Sequence, residues 1–176
     1  VPIGQWVHVA WSRASGTTRG FVNGILKGTT TGATSQAAIG SGSPNKIGNY
    51  STVFFPGYIS NVRVTKGQAL YTASFVPATS PLTTTSQGAT ATNVSLLACQ
   101  SSTFIDNSTN AFVVTAATST VKSTTVNPFS QTYYCGWFNG GADYLTLPSG
   151  SMDYVHKGAT TYTCLLYTSP SPRDQR

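Results

Sequence analysis

The chain has 176 residues, of which 39% are hydrophobic, 11% aromatic and only 8% charged, with a formal net charge of +6. High charge with few aromatics is the mark of a disordered chain, so this balance excludes one and predicts a neutral, hydroxyl-rich β-protein. The positive charge comes from scarce acids (Asp106, Asp143, Asp153, Asp174 and no glutamate) and not from a basic run, because the lysines and arginines are scattered singly. A nucleic-acid footprint needs them clustered on one face, so no nucleic-acid partner is expected.

The first element is the most sharply written. Gln5-Trp-Val-His-Val-Ala-Trp-Ser-Arg13 is followed by Ser15-Gly-Thr-Thr18 and then Arg19-Gly-Phe-Val-Asn-Gly-Ile-Leu26. Asn23-Gly24 between β-formers is a type I′ hairpin signal, because both residues tolerate positive φ, and the stretch predicts a three-stranded meander. Gly28 to Ser43 reads as a loop or weak edge strand, Asn45–Tyr50 as a short strand, and Thr52–Gly57 as an aromatic loop.

Tyr58 to Thr65 alternates with a period of two. This predicts a strand with Tyr58, Ser60, Val62 and Val64 on one face and Ile59, Asn61, Arg63 and Thr65 on the other. Gln68–Leu82, anchored by Leu70, Tyr71, Phe75 and Val76, predicts an irregular arm packed over the strands. Thr83–Thr92 has the composition of a linker. Val94–Cys99, Phe104-Ile105 and Phe112–Thr115 read as short strands, and Thr118–Asn127 is polar again. Trp137–Pro148 then alternates Tyr144 and Thr146 against Leu145 and Leu147. No sustained 3.6-residue period occurs, so the expectation is all-β with essentially no helix.

Cys99, Cys135 and Cys164 fit neither a zinc pattern nor a disulfide framework; a Cys99–Cys135 bridge and unpaired thiols both remain open. No apolar run approaches the ~20 residues that cross a bilayer, so no membrane insertion is expected. The chain opens on Val1 with no leader segment, and a fragment is the expectation.

The W-x-H-V-A-x-x-R strand with the F-V-N-G hairpin resembles laminin-G-like (concanavalin A-like) domains. So do Ile47-Gly48 and Gly57-Tyr-Ile-Ser-Asn-Val-Arg-Val64. The continuation Lys66–Phe75 with Pro77 and Pro81-Leu82, Leu96–Gln100 and Phe104–Ser108 is similar to tandem repeats of that family in tailed-phage structural proteins. Trp137–Leu145 resembles the first strand of such a domain.

The resemblance implies an antiparallel β-sandwich of jelly-roll type, incomplete as given. Its expected divisions are the C-terminal half of one domain (1–82), a spacer with short strands (83–132) and the front of a second, truncated domain (133–163). Half a sandwich leaves inner faces bare, so the Trp137–Leu147 strand is expected to pair with the first segment. The end, 164–176, resembles a translated sequencing-adapter tail, and is expected to be that or a disordered terminus.

The resemblance also implies a non-catalytic adhesion module of a virion tail, the cell surface or the extracellular space, contacting a host-surface glycan or protein. Neighbouring repeats or a homo-oligomeric tail assembly are further partners. The alternatives are a structural repeat without ligand and a truncated sandwich-fold glycosidase. Glycoside hydrolysis needs paired carboxyl groups about 5–10 Å apart, and here Asp106, Asp143 and Asp153 lie outside the meander, so no catalytic residue is assigned. His8, between valines on the Trp6–Trp11 strand, reads as a packed residue, and His156 has no apparent partner. There is no G-x-S-x-G elbow, and Gly140-Gly141 is a turn and not a phosphate loop.

No cofactor is expected beyond the family's commonest ion, calcium, for which Asp143 is the single oxygen candidate against its plainer role as a turn cap. For a sugar, the best cluster of aromatic platform and amide partners is Tyr50, Phe54, Phe55 and Tyr58 with Asn45 and Asn49. The competing reading has these aromatics plugging the open end of the sandwich.

Overall fold

The computed structural model describes residues 4–32, 45–129, 133–148 and 161–170. Strands β1 (Val7–Ala14), β2 (Thr17–Val22) and β3 (Ile25–Thr31) form the expected meander. Its second turn has the positive φ angles of type I′, 50° at Asn23 and 76° at Gly24. A Cβ on Gly24 would lie 2.0 Å from the Phe75 carbonyl oxygen, so glycine is needed for space as well as for φ. The Phe75 N–H donates to the Gly24 carbonyl at 2.8 Å, which ties the 68–82 arm to the hairpin.

Next come β4 (Asn45–Ile47), β5 (Asn49–Tyr50), β6 (Val53–Phe54) and the long β7 (Pro56–Lys66). After the arm follow β8 (Val94–Ala98), β9 (Thr115–Ala116), β10 (Lys122–Thr124), β11 (Cys135–Asn139), β12 (Leu145–Leu147) and β13 (Tyr162–Pro170). The described residues hold no α-helix, only 3-10 turns at Ser86–Gly88 and Ala91–Asn93, so the fold is all-β as expected.

The large sheet runs β10-β11-β7-β13-β1-β2-β3, with β8 also on β7. All its pairs are antiparallel. β11 takes Pro56–Ile59 and β8 takes Val62–Thr65, so these two strands lie end to end along one edge of β7. A small sheet, β4-β12-β9, covers part of one face of the large sheet. Ile59, Val62, Val64, Leu96, Phe138, Leu145 and Leu147 form the core between them. The arm covers the opposite face, where Ala10, Phe21, Tyr71, Leu82, Leu97 and Leu165 pack together. The Trp137–Leu147 segment thus pairs with the first segment twice, through β11 on β7 and β12 on β4.

Three expectations are corrected. β7 does not keep one alternation along its length: Asn61 adopts φ 55°, and the pairing with β13 shifts register beside it, so Ile59 joins Val62 and Val64 on the small-sheet face. A bulge of this kind swaps the faces of the residues beyond it.

The 83–92 stretch is not a free linker. Arg63, buried without an acidic partner among the described residues, donates from Nη1 to the carbonyls of Thr83 at 2.9 Å and Ser86 at 2.8 Å. A buried cation needs such acceptors, and here the polar turn supplies them. The Asn61 Oδ1 likewise accepts from the Leu82 N–H at 2.7 Å.

The described part of the expected tail is not disordered either. Residues 162–170 form β13 between β1 and β7, with Leu165 and Tyr167 buried toward the arm and Cys164 and Leu166 against the small-sheet core. The alternation of β-formers from Tyr162 to Thr168 outweighs the Ser-Pro composition that follows it.

All three cysteines are free thiols. Burial pushes Cys99 and Cys135 up to about 12, which makes them unreactive packing residues.

Candidate functional site

The predicted aromatic cluster is divided by the structure. β5 and β6 form a tight hairpin pairing Asn49 with Phe54 and Tyr50 with Val53. Side chains alternate across such a ribbon, so Tyr50 and Val53 share one face and Asn49 and Phe54 the other. Ser51 at the tip has φ 56°, and the Asn49 Nδ2 donates to the Ser51 carbonyl at 3.0 Å and the Val53 carbonyl at 3.1 Å. The Asn49 amide therefore shapes the hairpin and is not free for a ligand. The Phe55 N–H closes the base of the hairpin by donating to the Gly48 carbonyl at 2.8 Å.

The inner face of the hairpin is braced. Phe54 stacks on Tyr144, with centroids 6.2 Å apart and planes inclined by 25°. The Lys46 ammonium sits 4.3 Å from the centre of the Tyr144 ring. Tyr144 and Lys46 meet because β12 pairs antiparallel with β4, Thr146 opposite Lys46, which makes them diagonal neighbours on one face. The outer face is open. Tyr50 is 85% exposed, with Val53 exposed opposite it. The result is a rigid, exposed phenol and aliphatic pair on a buttressed hairpin.

The other predicted residues go elsewhere. Phe55 packs against the small-sheet core. Tyr58 lies on β7 with its ring 6.1 Å from Trp6 and its backbone opposite Trp137. Asn45 stands at the end of β4 opposite Leu147. For Phe54, Phe55 and Tyr58 the packing role has won. Nothing in the sequence analysis assigns Lys46 or Tyr144 to this site. The alternation of Tyr144 and Thr146 against Leu145 and Leu147 marks Tyr144 as outward-facing, but the partner strand is a long-range pairing that no local signal names.

Asp143 acts as a turn cap. Its Oδ1 accepts from the Thr118 and Thr120 hydroxyls, and its Oδ2 from the Asn139 N–H at 2.9 Å. Burial pushes this carboxyl up, but the three hydrogen bonds outweigh it and hold the group below the usual carboxylate range. A single carboxylate already engaged by three donors does not fit a calcium site, and no cluster of three or more His, Cys, Asp or Glu occurs among the described residues. Asp106 is similarly spent: Oδ1 accepts from the Leu97 and Ser108 N–H groups, and Oδ2 from the Ser108 hydroxyl and the Phe112 N–H. His8 is packed between Phe75 and Tyr167, with ring centroids at 5.5 and 4.8 Å. Asp153 and His156 lie outside the described residues.

Comparison with known families agrees with this architecture. Residues 1–73 match the family model described as the concanavalin A-like lectin/glucanases superfamily, of laminin-G type. The matched span contains β1 through β7 and the start of the arm, including Tyr50, Val53 and Lys46, whereas Tyr144 lies beyond it. No curated protein and no solved structure matches the chain.

Proposed function

We propose that this chain is a non-catalytic attachment module that binds a neutral glycan through the outer face of the β5–β6 hairpin. The observation that carries the reading is Tyr50, 85% exposed on a hairpin whose inner face is braced by Phe54, Tyr144 and Lys46. Tyrosine gives a large, rigid contact with one apolar face and one hydroxyl at little entropic cost, which suits a sugar ring. The sparsely charged surface favours an uncharged ligand. A superfamily of lectins and glucanases offers both binding and hydrolysis. Binding alone is favoured because both carboxylate oxygens of Asp106 and of Asp143 already accept hydrogen bonds from backbone N–H and hydroxyl groups, which leaves neither as a ready acid or nucleophile.

One facet of this size gives weak binding. Attachment would then come from many copies acting together, as in the repeated domains of a tail or surface protein.

A glycan microarray tests the reading. The wild-type chain is expected to bind at least one class of uncharged polysaccharide, and Tyr50→Ala to weaken that binding about tenfold with an unchanged melting temperature. Binding unaltered by Tyr50→Ala, or no glycan bound at all, would overturn it.

A further inference from the structure

The small sheet covers only part of its face of the large sheet. Along β13, Cys164 and Leu166 are still packed against the core under that sheet. One strand further out, opposite Cys164, stands Trp11, 45% exposed between buried Ala10 and Ser12. An indole this open inside a central strand is unusual, and the register explains what surrounds it. Trp11 pairs with Gly20, and Gly20 pairs with Gly28. A Cβ on Gly20 would come within 3.9 Å of the Trp11 Nε1, so the indole leans over backbone that carries no side chain. A Cβ on Gly28 would meet nothing within 4 Å, so the floor beyond the indole is bare.

Two rails flank this floor on the same face. On one side Val22 pairs with Val9 and Ile25, and Ile25 is 55% exposed. On the other side Thr18 pairs with Thr30. A flat aromatic surface, an open floor one side chain deep, an apolar rail and a hydroxyl rail thus lie together across three strands. Lys27 is exposed at the β3 bulge and Arg13 on this face is buried, so the shelf presents no cluster of exposed charge.

We propose that this shelf is a second saccharide site, which takes one pyranose ring of a neutral glycan. A pyranose has a C–H face that stacks on an indole and a rim of hydroxyls that matches the Thr18 and Thr30 row. The lack of clustered exposed charge disfavours a nucleic-acid or polyanionic occupant. The choice of ligand class rests on the glycan reading above, but the residues are different ones. With the β5–β6 hairpin, the chain would then hold a glycan at two separate points.

Isothermal titration with uncharged oligosaccharides (maltohexaose, mannohexaose, cellohexaose) tests this in wild type, Trp11→Ala, Gly28→Val and Tyr50→Ala. Gly28→Val fills the floor without touching the indole, so it guards against a mere folding defect in Trp11→Ala. The expected result is that Tyr50→Ala binds about tenfold more weakly but still measurably, and that Trp11→Ala and Gly28→Val each weaken this residual binding about tenfold again in the Tyr50→Ala background. If both leave binding unchanged while Tyr50→Ala abolishes it, the shelf is not a site and the hairpin reading stands. If the shelf variants abolish binding and Tyr50→Ala does nothing, the hairpin reading fails and the shelf remains. If Trp11→Ala instead turns a dimer into a monomer in sedimentation without altering glycan binding, the occupant is a second copy and the proposal falls.

Discussion

His8 is 3% exposed, its ring edge-on to both Phe75 and Tyr167, and its Nδ1 has no hydrogen-bond partner among the described residues. Burial, reinforced by the nearby Arg63 guanidinium, lowers its pKa from 6.5 to about 4. The imidazole is therefore held neutral, as a packing residue. The unfolded chain takes up this proton near pH 6.5 and the folded chain only near 4, so proton uptake between those values favours unfolding. Stability is thus expected to fall as pH drops through this window, by about 3 kcal/mol, and then to level off with respect to this group. Urea midpoints measured from pH 7 to 4 check this, and His8→Phe should remove most of the decline. An equal decline in that variant would assign the acid sensitivity to other groups.

Single residues of this kind were only partly legible. Packing of His8 followed from its place between valines beside tryptophan. That Asn49 would spend its amide inside its own hairpin, and Asp143 its carboxylate on two distant threonines, depends on atoms brought together by folding.

At the level of elements, legibility follows the range of the interaction that decides each one. The β2–β3 hairpin is written locally, since Asn23-Gly24 carries the turn in its own φ angles. The faces of β7 are not, because the bulge at Asn61 depends on hydrogen bonds to Cys99 and Leu82 further along the chain. β13 is the plainest case. Its residues alternate with a period of two, but the resemblance of 164–176 to a translated adapter tail sets that pattern aside. In the fold it fills the space between β1 and β7 along nearly the whole of both. Deleting residues 162–176 would uncover two long strand edges and remove Leu165 and Tyr167 from the arm-side core. The expected outcome is loss of a cooperative thermal transition and a rise in light scattering. A truncated chain that melts cooperatively at the wild-type temperature would show that β13 adds nothing to the fold.

For the whole molecule, the sequence carried the class, all-β and antiparallel, and a resemblance to a sandwich domain that the family model shares over residues 1–73. It carried the closing of that sandwich only in outline: the 68–82 arm over the strands and the pairing of the Trp137–Leu147 segment are expected, but not that β11 extends the large sheet while β12 builds the small one. Among the described residues, Tyr50 and Trp11 are the aromatics left most exposed by the closed structure. On this reading these two side chains contact a neutral glycan. The most direct measurement is a map of backbone amide shifts in the labelled chain as an array-selected oligosaccharide is added. The expected shifts are confined to residues 49–54 of the β5–β6 hairpin and to the Trp11, Gly20 and Gly28 shelf. Saturable shifts that leave both groups of residues unmoved would contradict this reading.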